Sequence, residues 1–214
     1  MKEAHKKETP FERVLFFSDA IVAIAITLLA LDLKLEVPEH HHLTFADLLL
    51  PWKKYLAFFL SFFNIAGFWR IHHNIYSYIK KMDDKSMYFN IGWVFFIITL
   101  PFATSVLSTH FGDAPAIFLY SMNIFLISIF QNSIWDYADA KEDFVDREKL
   151  PPEERTQFRI MFNLDMLNGL LALIFSFILP KLAFFLLFFK IPVFIFSLFY
   201  IGRIRRREKL EGKI

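Results

Sequence analysis

Long stretches with almost no charge follow one another along this sequence, and they constrain its fold more than any other feature. Phe16 to Leu31 carries one charged residue, Asp19. Ile91 to Leu107, Ala114 to Trp135, Met166 to Pro180 and Leu182 to Phe189 carry none. A helix needs about 20 apolar residues to cross a bilayer. One such run in a soluble protein is a buried helix, but a succession of them predicts an all-α integral membrane protein. Composition agrees: 56% of the 214 residues are hydrophobic and 29 are Phe. The spacing predicts six transmembrane helices, over about 13–35, 51–80, 86–108, 114–138, 158–179 and 181–204. They form one membrane domain over residues 1–214, with no internal repeat.

Lys and Arg cluster in alternate connections. The N-terminal segment through Arg13, the Lys80–Lys85 connection, the Lys141–Arg159 connection and the segment from Arg203 together hold 18 of the 24. The positive-inside rule then predicts a multi-pass protein of the cell membrane with both termini cytoplasmic. The polar opening MKEAHKKETP predicts that the first run is retained as a helix and not cleaved. The charged connection KEDFVDREKLPPEERTQFR reads as a solvated loop without chemistry. The chain has no Cys, which excludes disulfides and thiolate ligands. His40, His41 and His42 read as a solvated loop, so no metal site and no cofactor are expected. Lys190 falls within the last predicted helix and has no assigned role. Trp52 and Tyr55 read as interfacial residues, and the basic RIRRREK segment as a topology anchor able to meet lipid head groups. Neither an enzyme nor a nucleic-acid partner is expected: there is no HExxH and no defensible nucleophile–base set.

Ionisable groups inside a span cost roughly 2.5–3.5 kcal/mol each and normally serve a purpose. A rise of about 1.5 Å per residue sets their depths. Asp19 lies about 9 Å above Arg13, His72 about 12 Å from Lys80 and Asn90 about 7 Å from Lys85. Ser18, Asp19, His72 and Asn90 can therefore share one layer, with Asn132 and Asp165 at similar depths. That layer is either a hydrogen-bonded clamp between helices or a proton or ion relay, and the clamp is the preferred reading.

These residues also carry a pattern. Arg13, three residues and then Phe17-Ser18-Asp19, followed by AIVAIAITLLALDL, resembles the signature of the transmembrane protein 175 family of potassium channels. Trp69 and His72 resemble the family's Trp-x-x-His, and Asp83, Asp84, Asn90 and Pro101 follow in keeping. The resemblance implies a potassium-preferring monovalent cation channel whose first helix surrounds a central pore. It implies the prokaryotic single-repeat branch, with one pore helix per chain and a homotetramer in the lipid bilayer. It also implies that Arg13, Phe17, Ser18, Asp19, Trp69, His72 and Asn90 form a structural polar network.

No TVGYG filter occurs in the sequence, so selection would fall to side chains. Ile24, Leu28 and Leu31 lie at i, i+4 and i+7 on one face, with Thr27 adjacent. From spacing alone such a stripe is ordinary helix packing. The resemblance turns it into a pore lining, with apolar rings that gate by dewetting and a hydroxyl layer beside them. Ala20, Ala23, Ala25 and Ala30 permit close helix approach. A proton channel using Asp19 and His72, and a non-conducting scaffold, remain as alternatives.

Overall fold

A computed structural model of the chain describes residues 10–35, 42–150 and 152–189. His40, His41, Lys190 and the basic segment 203–209 lie outside the described residues. Helix α1 spans Pro10–Leu31, α2 Phe45–Leu49, α3 Trp52–Tyr76, α4 Asp84–Thr109, α5 Ala114–Asp139 and α6 Pro152–Ile178. A shorter apolar helix, α7, covers Pro180–Phe189. Among the described residues the only extended pairing is an isolated bridge between Ile79 and Val145.

Among the described residues, four helices are long and apolar enough to cross a membrane: α1, α4, α5 and α6. Helix α3 has the length, at 25 residues. It falls short in composition, because Lys53, Lys54, Arg70, His72 and His73 interrupt its apolar residues. The helices start and stop where local chemistry directs. Helix α1 ends at Leu31, short of residue 35. Leu33 N–H turns back to the Ala30 carbonyl, and Lys34 N–H to that of Asp32. Helix α4 begins at Asp84 because Asp83 caps it, accepting from the Ser86 N–H at 2.9 Å. Helix α6 begins at Pro152, six residues before residue 158, since proline's missing N–H costs nothing in a first turn. The connection expected between residues 35 and 51 contains a helix, α2. Thr44 and Asp47 form a reciprocal capping box there.

Helix α4 is the centre of the bundle. It packs against α1, α3 and α5, and α5 carries α6 on its other side. Pro101 sits within α4 without ending it. The hydrophobic core runs through Leu60, Ile65, Phe68, Trp93, Ile97, Leu100, Ile117, Ile124 and Trp135, all essentially inaccessible. Helix α6 meets α5 through Phe162, Gly169, Ala172 and Ser176. These positions recur at about one or two helical turns, and three of them are small, so the backbones approach closely. A Cβ at Gly169 would stand 3.1 Å from the Phe125 Cα. The α4–α5 turn depends on Gly112, whose φ of 96° suits a residue without a Cβ.

The charged α5–α6 connection departs from the expectation of a free solvated loop. Lys80 N–H donates to the Phe144 carbonyl and Asp146 N–H to that of Tyr78, at 2.7 and 2.8 Å. Lys80 pairs with Asp146, Lys81 with Asp143 and Lys141 with Asp83. Tyr78 donates to Glu154. The two connections at this end of the molecule are thus stapled to each other.

Candidate functional site

The polar layer assembles where α1, α3 and α4 meet. Ser18, His72 and Asn90 are buried. Asn90 is its hub. Its Nδ2 donates to Ser18 Oγ at 2.8 Å, and its Oδ1 accepts from His72 Nε2 at 2.8 Å and from Tyr76 OH at 3.3 Å. Ser18 in turn donates to the Val14 carbonyl at 3.0 Å, within its own helix. The His72 ring stacks on Trp93 with centroids 4.1 Å apart and 19° between planes, and lies 4.5 Å from the Tyr76 ring. At the rim, Trp69 Nε1 donates to Asp19 Oδ1 at 2.8 Å. Each of the three helices is therefore tied to the other two by side-chain hydrogen bonds.

The residues expected in this layer separate into two groups. Ser18, Asp19, Trp69, His72 and Asn90 come together. Phe17 is exposed, and among the described residues no hydrogen bond joins Arg13 to the layer. Asn132 is not part of it. Its neighbour Gln131 is the inward residue of α5, donating to the Phe68 carbonyl at 3.3 Å and accepting from Trp93 Nε1 at 3.4 Å. A second buried polar cluster escaped the sequence reading. Ser61 Oγ lies 2.7 Å from Thr104 Oγ1 and 3.0 Å from Tyr120 OH, and Asn64 Nδ2 donates to Tyr120 OH at 3.3 Å. The signal for it was present: Ser61 and Asn64 lie three apart on an otherwise apolar stretch of α3, so they share a face.

The other face of interest is on α1. Ser18, Val22, Ala25 and Leu29 form a narrow buried stripe against α3 and α4. Ile24, Leu28 and Leu31 point away from it, with 56%, 43% and 67% of their surface accessible. Thr27 is also exposed, and its hydroxyl donates to the Ile24 carbonyl at 2.7 Å. That bond uses the Thr27 proton and leaves the oxygen lone pairs free to accept.

Comparison with known proteins accounts for the arrangement. The family model for the endosomal/lysosomal potassium channel TMEM175 matches residues 13–101, from the arginine of the first-helix motif to the proline within α4. A potassium channel of Chamaesiphon minutus is 37% identical over 134 residues, which are 59% of this chain and 64% of that one. An endosomal/lysosomal proton channel TMEM175 of Gallus gallus is 35% identical over 157 residues, 67% of this chain and 30% of that one. The crystal structure of a lysosomal potassium-selective channel TMEM175 homolog from Chamaesiphon minutus superposes with a TM-score of 0.72. It has 29% identity, and the match covers 89% of this chain and 98% of that one. The chain thus spans less than two thirds of the first of these sequence relatives and under a third of the second. The fold and its motifs define a helical membrane protein from a family of channels, not of enzymes. The family-model match, the bacterial potassium channel relative and the shared fold support membership of the TMEM175 family.

Proposed function

We propose that the chain is a subunit of a potassium-permeable channel in the cell membrane, with α1 from each copy surrounding a central pore. One observation carries this reading. Helix α1 buries only its Ser18–Val22–Ala25–Leu29 stripe and leaves Ile24, Leu28 and Leu31 aligned and unpartnered. Bundled copies would convert these side chains into stacked apolar rings. Narrow apolar rings dewet, and a passing ion must shed part of its hydration shell there. Potassium holds its shell less tightly than sodium, so the rings favour it. The Thr27 oxygen adds a polar acceptor beside them. With one such helix per chain, a closed ring needs several chains, and four is the number proposed. In this reading the chain crosses six times: α3 spans with its polar residues turned into the bundle, and α7 opens the sixth span. Both termini face the cytoplasm, on the side of the stapled connections.

Potassium flux through purified protein in liposomes, together with the mass of the assembled oligomer, tests this. Leu28→Ala and Ile24→Ala are expected to change conductance or potassium-over-sodium preference with assembly intact. Unaltered permeation in both variants would exclude this stripe as the constriction.

Proton conduction is the second reading, favoured by the buried His72 and by the name of the avian relative. His72 donates to the Asn90 amide oxygen, and an amide is a poor link in a proton relay, so the layer is read first as a clamp.

A further inference from the structure

A recess of about 380 Å³ opens between the C-terminal end of α5 and the first turns of α6, away from the α1 face and the polar layer. Its lining is Asp136, Asp139, Ala140, Arg155, Arg159 and Asn163. Five of these six are polar, which makes it unsuited to an apolar ligand. The guanidinium pair makes it unsuited to a metal ion.

Asp139 is buried and fully engaged. Arg155 grips it with Nε at 2.7 Å and Nη2 at 3.0 Å, and Arg159 Nη2 reaches it at 3.1 Å. Arg147 caps its carbonyl at 3.2 Å. Arg155 therefore serves the fold, through a bidentate grip. Arg159 spends a single N–H on Asp139 and keeps its others, with its side chain 58% accessible. Arg155, Arg159 and Asn163 fall at i, i+4 and i+8, so they stand in a row along the recess wall. Asn163 makes no hydrogen bond among the described residues. The recess lining holds two guanidinium groups and two carboxylates, and Arg155 with Asp139 forms a closed ion pair, so Arg159 and Asp136 are the charges left facing a ligand.

We propose that this recess binds a phosphate group, held by the free donors of Arg159 and by the Asn163 amide. The fork of an arginine matches phosphate oxygens two at a time. Asp136, exposed at the edge and with no side-chain hydrogen bond among the described residues, suits a phosphate that also carries an ammonium group, as in an ethanolamine headgroup. The shared chemistry is that of a phosphate ester, from a phospholipid or from free phosphate. It does not depend on the chain conducting ions.

The test uses the full-length purified protein. Native mass spectrometry counts retained phospholipid per chain after extraction from nanodiscs of phosphatidylethanolamine, phosphatidylglycerol or phosphatidylcholine. Delipidated protein is separately titrated with inorganic phosphate against a chloride control, following the melting temperature. Retained phospholipid identifies the lipid source, and a phosphate-specific rise in melting temperature the free one. Arg159→Gln keeps the Arg155–Asp139 grip and is expected to weaken binding about tenfold or more. Arg159→Lys should recover only part, because it restores charge without the fork. Asn163→Ala leaves every ion pair intact and decides the matter if R159Q melts abnormally. Loss of binding in either variant at unchanged ligand-free melting supports the site. Absence of binding by the wild type, or equal binding by the wild type and both variants, overturns it.

Discussion

Asn90 is the side chain on which the polar layer turns. It accepts from His72 and Tyr76 and donates to Ser18, so one amide joins three helices. Asn90→Leu is expected to cost about 2 kcal/mol, since it strands buried partners while filling similar volume. Thermal melting in detergent measures this. Asp19→Asn should be far milder, because an amide oxygen can still accept from Trp69. If D19N folds and assembles normally yet alters ion selectivity, Asp19 is more than a clamp. Counting depth along each helix was enough to bring Ser18, Asp19, His72 and Asn90 to one layer. It could not say which atoms pair, because that depends on how each helix is rotated about its axis. The same limit explains Gln131. It and Asn132 lie at nearly one depth, and only the rotation of α5 turns the first inward and the second aside.

At the scale of elements, long helices are legible from their apolar runs, and the short or charged pieces between them are not. Helix α2 is five residues long and carries no periodicity to detect, although the Thr44/Asp47 capping box marks its start. The α5–α6 connection looks like a free loop because its charges alternate, but their partners lie on a connection some 60 residues away in sequence. Partial burial alone would raise the Asp83 carboxyl. Hydrogen bonds from Lys141, Tyr137 and Ser86 outweigh it and hold the group well below the usual carboxylate range. Hydrogen bonds from Lys81 and Lys80 likewise lower Asp143 and Asp146. A carboxylate depressed in the folded state stabilises it above the unfolded value, and that stability is lost as pH falls through the folded one. Melting temperature should therefore drop on acidification below about pH 4, and the drop should shrink in Asp83→Asn. The α5–α6 seam makes a separate prediction. Gly169→Leu drives a side chain into the Phe125 backbone and should destabilise by about 2 kcal/mol or more. Gly169→Ala should be nearer neutral, because better helix propensity offsets the tighter contact.

Across the whole molecule, each long helix is tied to α4 directly or through α5. Helices α3 to α6 are joined by packed cores and by the stapled connections at one end. Helix α1 is held by one stripe and by the polar layer. In the proposed channel, the exposed Ile24, Leu28 and Leu31 face of α1 is the surface left to meet other copies. The buried carboxylate of Asp139 has a consequence for how the bundle is made. Among the described residues, the side chains that bond Asp139, Arg147, Arg155 and Arg159, come later in the chain, by 8, 16 and 20 residues. While the protein is being synthesised, α5 reaches the bilayer before any of them exists. Its end stays anchored to water by an unmatched charge until the next helix has emerged. The ion-paired burial of Asp139 is therefore complete only when both α5 and the first turns of α6 are present.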